Sequence, residues 1–333
     1  MIKNQWALLL PQALALILIS PGNASAAEQD THWSIVWEND VIALDDGGYS
    51  NGFIVNWGEI VDDENRPKWI DLADKWLPFP HQSEYQEAIS YQVAHAIFTP
   101  SDIKESKIIE DDRPYAGLLY GAMNLFRFDA KTTSHYEFIL GIVGPATAAE
   151  QIQSTFHAAT GSNDPKGWSH QIKNEPVFRI GYEQHWRLLH SSASSALEYD
   201  FLAGGDVRAG TLSSDIGTGM TFRIGKGLAT SAPMAWLTPG RGLPSLAGNT
   251  SGDWNMFGTL YANYVFNDIT INGNTFTDSH HVSLKHEQAR FIVGANYVFP
   301  GLTLSASVQE STDTFDEYSE DTLFATLGFS FIW

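Results

Sequence analysis

The stretch TLFATLGFSFIW, residues 322–333, decides the fold. Read in steps of two, Leu323, Ala325, Leu327, Phe329, Phe331 and Trp333 share one face. Thr322, Phe324, Thr326, Gly328, Ser330 and Ile332 share the other. Alternation with period two describes a strand whose two faces meet different media. The pattern recurs upstream. Leu302, Leu304, Ala306 and Val308 oppose Thr303, Ser305, Ser307 and Gln309. Around Phe178, the set Phe178, Ile180, Tyr182, Gln184, Trp186 and Leu188 opposes Arg179, Gly181, Glu183, His185 and Arg187.

Alternation suits a soluble sandwich as well as a membrane barrel, and three other features choose the barrel. Segments such as 85–97, 114–128, 176–188 and 254–266 exceed ordinary strand length and suit a tilted span. Trp33, Trp37, Trp57, Tyr115, Trp186, Trp254 and Trp333 fall near strand ends, as in an aromatic girdle. The chain ends on a strand with a terminal aromatic, as outer-membrane proteins do. Strands are expected near 32–40, 50–60, 86–97, 114–127, 134–144, 176–188, 194–206, 215–224, 254–266, 281–290, 291–299 with 301–310, and 321–333. The expectation is an all-β, antiparallel transmembrane β-barrel of about 12 strands. Two helices are expected, over 65–76 and 147–159, the second ending near Gly161. With a periplasmic N-terminus and an even strand count, the second helix lies in an extracellular loop, and connections 61–84 and 225–252 face the periplasm.

Composition supports this reading. Charged residues make up only 17%, while the chain carries 11 Trp and 12 Tyr. The net charge of −20 argues against a nucleic-acid partner, which needs a basic face. No cysteine is present, so disulfides, Cys-ligated zinc and a Cys nucleophile are excluded. Residues 1–26 read as a signal peptide: Lys3, an apolar stretch from Trp6 to Ile19, and the small residues Ala24-Ser25-Ala26. Residues 27–333 then form a single barrel domain. Arg179, Glu183, Arg187, Glu198, Asp200, Arg223 and Arg290 fall on lumen-side positions, where mixed charges are expected to pair.

Polar residues crowd the expected extracellular end. Glu38-Asn39-Asp40 closes the first strand, and Asp45 to Gly52 turns into the second. Their carboxylate, amide and hydroxyl oxygens suit a hard cation such as calcium, although an Asp- and Gly-rich turn has the same composition. His157 lies on a polar helix face with Gln153 at i−4 and Thr160 at i+3, either of which could fix its tautomer. Ser50 is a nucleophile only if a histidine reaches it, and it is not in a G-x-S-x-G elbow.

The motifs W-E-N-D (37–40), G-Y-S-N-G (48–52), D-R-P-Y-A-G (112–117), G-I-V-G-P-A (141–146), Q-I-Q-S-T-F-H (151–157), G-W-S-H-Q-I-K-N-E-P (167–176) and N-G-N-T-F-T-D-S (272–279) resemble the lipid A 3′-O-deacylase family, LpxR. The resemblance runs over nearly all of the chain after residue 26. It implies a twelve-stranded outer-membrane barrel with its site at the extracellular rim beside a loop helix. It also implies calcium-dependent hydrolysis of the ester that holds the 3′-acyloxyacyl chain of lipid A. By motif, Asn39 and Asp40 match the family's Asn-Asp pair near the cation, Ser50 its Thr or Ser after Tyr, and His157 its histidine base. The implied mechanism resembles that of secreted calcium-dependent phospholipases: His157 activates water and Ser50 positions groups. Some members carry adjacent basic residues before strand four; here Lys104 and Lys107 are separated. An acidic protein meeting the phosphates of lipopolysaccharide gives a second reason to expect a divalent cation. The protein is expected to act as a monomer among outer-membrane lipids. The alternatives are a non-enzymatic porin or adhesin, and a Ser-His phospholipase barrel.

Overall fold

A computed structural model describes residues 31–40, 48–61, 66–78, 85–194, 197–234, 250–317 and 322–332. The expected signal peptide, the acids at 45 and 46, and Trp333 lie outside the described residues. Twelve antiparallel strands close into a barrel, each paired with its neighbours in sequence and the first with the last. They are β1 (Thr31–Asn39), β2 (Gly48–Val61), β3 (Gln86–Thr99), β4 (Ala116–Phe128), β5 (Thr132–Val143) and β6 (Glu175–Ser194). The chain continues through β7 (Leu197–Gly210), β8 (Ser213–Lys226), β9 (Trp254–Asp268), β10 (Glu287–Phe299), β11 (Leu302–Ser311) and β12 (Thr322–Ile332). Closure is direct, with Ser34 opposite Ser330.

One expected strand moves. Residues 281–290 do not form an element of their own: β10 starts at Glu287, and the preceding residues belong to the β9–β10 connection. There Val282 and Leu284 pack against Val265, Ile271 and Phe315, so their alternation came from loop packing. Gly301, at φ +74°, turns the chain between β10 and β11. The segments 291–299 and 301–310 are therefore parts of two strands, and the count stays at twelve.

The wall is inside-out relative to a soluble protein. Phe178, Ile180, Trp186 and Leu188 are exposed, while Glu183 and His185 between them are buried. An apolar exterior and polar interior identify lipid as the outer medium. Outside, Trp33 stacks on Trp57 at 5.7 Å and Trp57 on Tyr91 at 6.0 Å, part of the expected girdle. Tyr115 is not part of it; it is buried under Trp168, 4.9 Å between ring centroids.

The interior is filled in two ways. Arg208 donates to Glu183 and Asp215 at 2.9 Å each, and Arg223 grips Asp200 with bonds of 2.9 and 2.6 Å. Glu183 also meets His135. Toward the end that carries the β5–β6 connection, apolar side chains take over. Val36, Ile54, Leu118, Phe324, Leu212 and Ile269 join one cluster. The lumen is thus plugged by apolar packing as well as by the ion pairs expected there.

Among the described residues three α-helices decorate the barrel: α1 (Lys68–Ala73), α2 (Ala149–Thr160) and α3 (Ile269–Asn272). The expected 65–76 helix is shorter, because the chain passes into turns after Ala73, with Trp76 N–H on Ala73 O. The expected 147–159 helix starts later. Pro145–Thr147 forms a separate 3-10 turn, and Ala148 at φ 58° breaks the α-helical path. Gly161 caps α2 at φ 73°, as its sequence position predicts.

Candidate active site

The site is set by which way each strand faces. Along β1, His32, Ser34, Val36 and Glu38 are buried inward, so Asn39 belongs to the outward face with Trp33, Ile35 and Trp37. A bulge between Tyr49 and Asn51 shifts the start of β2. Tyr49 turns inward, donating to Glu38 Oε2 at 2.6 Å and packing on Phe98 and Phe324. The G-Y-S-N-G motif makes this reach possible: a Cβ at Gly52 would overlap the Tyr49 hydroxyl. Ser50 takes the other side. Its carbonyl accepts from Asn39 Nδ2 at 2.7 Å, and its Oγ lies 2.6 Å from Thr99 Oγ1. Asn51 Oδ1 accepts from Trp37 Nε1 at 2.8 Å. Asn39, Ser50 and Thr99 thus form one polar cluster at the end of the outer wall, with Asp40 buried next in sequence.

The helix α2 is laid on that same outer wall. His95 alternates with inward Ala94 and Ala96, and its Nε2 meets Thr147 O at 3.1 Å. Gly117 lets the segment approach, since a Cβ there would overlap Thr147 and Ala149. Ala149 then joins Ile97, Ile103, Tyr115 and Trp168 in an apolar seat. Burial pushes the Tyr115 phenol up to about 12, so it stays a neutral donor, to Ile103 O at 3.2 Å.

His157 is half-buried on α2, and its Nδ1 meets the carbonyl of Asn163. A carbonyl only accepts, so Nδ1 carries the proton and Nε2 keeps the lone pair. The partners expected from helix spacing are otherwise engaged. Gln153 Oε1 accepts from Trp168 Nε1 at 2.8 Å, and the Thr160 hydroxyl bonds Phe156 O and Ser162. Helix periodicity could not see Asn163, which lies past the Gly161 cap. The structure therefore joins Asn39 to Ser50 and Ser50 to Thr99, and ties His157 to its own loop. Ser50 is paired with a threonine hydroxyl, not a histidine. Thr99 was missed; its signal was a hydroxyl closing β3 just before Pro100.

Among the described residues, no group of three or more His, Cys, Asp and Glu gathers to hold a metal. Asn39 and Asp40 offer hard oxygen donors. The Asn39 amide nitrogen is committed to Ser50 O, which leaves its Oδ1 as the acceptor. They fit a hard cation as part of a larger oxygen set. Lys104 and Lys107 are both exposed on the β3–β4 connection, with Glu105 accepting from the Lys107 N–H at 2.9 Å. The other shared motifs brace the loops. Asn274 bonds Lys173 N and O at 2.7 and 2.8 Å, and Glu175 accepts from Thr275 N–H at 3.1 Å.

A family model described as outer membrane protein LpxR matches residues 10–333. Among solved structures, "LpxR from Salmonella typhimurium" superposes with a TM-score of 0.75 at 17% identity, covering 91% of this chain and 100% of that one. The β domain of the Bordetella autotransporter BrkA reaches a TM-score of 0.41 at 9% identity, covering 92% and 99%. The NalP translocator domain from Neisseria meningitidis also reaches 0.41 at 9%, covering 96% and 92%. No curated protein matches the chain.

Proposed function

The chain belongs to the LpxR family of outer membrane proteins, and from that premise we propose that it is a lipid A 3′-O-deacylase. It hydrolyses the ester holding the 3′-acyloxyacyl chain, with His157 activating water. The observation that carries this reading is the side of the wall on which the polar groups lie. Asn39, Ser50 and Thr99 cluster at the end of the wall's outward side, Asn39 and Thr99 buried there and Ser50 half-buried, and the turn that leads into α2 rests on that same side. An enzyme whose substrate is a membrane lipid needs its polar groups there, whereas a pore needs them in the lumen. The plugged interior argues against the porin alternative.

His157 Nε2 is the basic nitrogen, held by the Nδ1 bond to Asn163, and takes a proton from water as that water attacks the ester carbonyl. The proton then passes to the departing sugar hydroxyl. Ser50, through Thr99 and Asn39, positions groups without becoming acylated. Asn39 and Asp40 would hold a calcium ion, which when bound supplies positive charge against the developing oxyanion. The active site faces the cell exterior, where lipid A resides, and the protein works as a monomer. Mass spectrometry of lipid A from cells with and without the protein tests this. Loss of the 3′-acyloxyacyl chain is expected; unchanged lipid A in cells with assembled protein would refute it.

A further inference from the structure

The motifs W-E-N-D and G-Y-S-N-G meet where two strands part. The β1–β2 ladder runs from Thr31–Glu59 to Glu38–Gly52. Past that pair each strand keeps only its other neighbour. Asn39 pairs with Ala325 of β12, while Gly48 and Tyr49 pair with Thr99 and Phe98 of β3. Ser50 is the extra residue of the bulge in β2 and has no place in the β2–β3 register. Backbone pairing between β1 and β2 therefore does not set where Ser50 lies against Asn39. Side-chain bonds cross the gap instead. Trp37 Nε1 donates to Asn51 Oδ1 at 2.8 Å, Asn39 Nδ2 to Ser50 O at 2.7 Å, and Tyr49 Oη to Glu38 Oε2 at 2.6 Å. The first two lie on the outward side of the wall and the third on the lumen side.

The lumen-side bond is braced on every side. Glu38 and Tyr49 are both buried, and 2.6 Å is the short separation of a phenol donating to a carboxylate. The Tyr49 ring packs on Phe98 and Phe324, with 5.2 Å between ring centroids in each pair. Its hydroxyl fills the space that a Cβ at Gly52 would need. Tyr49 immediately precedes Ser50, and Glu38 immediately precedes Asn39. Successive side chains of an extended chain point to opposite sides, so holding Tyr49 and Glu38 inward turns Ser50 and Asn39 outward. Without the bulge, Ser50 would share the inward face of Gly52 and Ile54, and Tyr49 would face lipid.

We propose that Tyr49 and Glu38 are positioning residues, whose bond inside the barrel sets the spacing of Asn39 and Ser50 outside it. Ser50 Oγ is referred to β3 through Thr99, and Asn39 to β12 through Ala325. The parted ends of β1 and β2 separate these two references, and the Tyr49–Glu38 bond ties them together. Both side chains lie on the lumen side, so neither touches a substrate at the outer wall. What Asn39 and Ser50 do there rests on the deacylase reading; that they are held from within does not.

The test uses the full-length barrel in detergent as parent, Tyr49→Phe, Gly52→Ala and Tyr261→Phe. Tyr49→Phe keeps the ring and removes the donor, and Gly52→Ala displaces the hydroxyl and keeps the donor. Tyr261→Phe removes a different buried phenol–carboxylate bond, 3.1 Å to Asp206, and is the control for losing such a bond elsewhere in the lumen. Nuclear magnetic resonance of isotope-labelled protein reads the placement. Exchange of the Asn39 side-chain amide should rise by about two- to twelvefold in the first two variants, the worth of one hydrogen bond, and stay at the parent rate in Tyr261→Phe. Lipid A deacylation reads the consequence. In the first two variants kcat should fall by about 10- to 100-fold with KM within about twofold, as expected when a positioned group moves by about 1 Å. Tyr261→Phe should keep the parent kcat. Glu38→Gln, which retains an acceptor, should keep more of the parent kcat than Glu38→Leu. If Tyr49→Phe does not assemble, Gly52→Ala and Glu38→Leu decide. A parent that strips no acyl chain, with the Asn39 amide still released in Tyr49→Phe, would refute the deacylase reading and leave the positioning intact. An Asn39 amide unchanged in the assembled variants, or a Tyr261→Phe kcat as low as theirs, would overturn the proposal.

Discussion

Leu327→Arg tests the inside-out wall where it is most exposed to refutation. Leu327 is the sixth of the 11 residues in β12, so five residues flank it on each side. At about 3.3 Å per residue that is roughly 17 Å of strand to either end. With a tilt of about 40°, the depth is roughly 13 Å, half of an apolar band about 25 Å tall. Leu327 therefore sits near the midplane, on the outward face opposite inward Ser330. Arginine there should cost about 2–4 kcal/mol of folding stability in the bilayer, an equilibrium shift of about 30- to 700-fold. Urea-dependent folding into phospholipid vesicles, followed by heat-modifiable gel mobility, reads this directly. Ser330→Thr, on the other face three residues on, should fold like the parent. If the two variants fold equally well, or Ser330→Thr is the more damaged, the facing assigned to β12 and the lipid-facing placement of Asn39 and Ser50 both fall.

Other outcomes follow from the site and from the ion pairs of Asp74. Chelation should abolish deacylation and calcium should restore it, with Asp40→Asn requiring more calcium; full activity in excess chelator would remove the cation from the account. Ser50→Ala should lower the rate without loss of assembly, and the parent should give no acyl-enzyme, so an acylated Ser50 found by peptide mass spectrometry would replace water with serine as nucleophile. Burial alone would raise the Asp74 carboxyl, but bonds from Arg66 and Arg127 outweigh it and hold it below the usual carboxylate range. Its stabilising contribution is therefore complete above the unfolded value, about pH 4, and is lost as pH falls through the folded one. Protection factors at the Ile70 and Asp74 amides, taken against the slower intrinsic exchange in acid, should fall between pH 4 and pH 2, and unchanged protection across that window would contradict the pairing of Asp74 with Arg66 and Arg127.

Much of the barrel was legible because its rule is local. Period-two alternation sets the facing of β6 or β12 with no knowledge of their neighbours, and the ion pair of Arg223 with Asp200 follows once charges share the inward face. The rule failed where alternation had another cause, as at Val282 and Leu284, which pack within a loop. The motifs brought out Asn39, Ser50 and His157, but not their partners. The contact of Ser50 with Thr99 spans 49 residues and depends on a bulge. The bond of His157 to Asn163 depends on a chain reversal after a left-handed glycine. That α2 and α1 lie on the outside of the wall had no local signature at all. It emerges only when Gly117 proves too crowded for a Cβ and Leu125 proves buried on a face that should meet lipid.

The central claim is that His157, on a helix laid against the lipid-facing wall, is the base that splits the 3′ ester. The direct measurement compares lipid A from cells making the parent or His157→Ala, matched for barrel content by heat-modifiable mobility. The parent should release the 3′-acyloxyacyl chain, and the variant should be slower by about 10²–10⁴, the usual cost of losing a general base. A correctly assembled His157→Ala barrel that strips lipid A as fast as the parent would contradict the account.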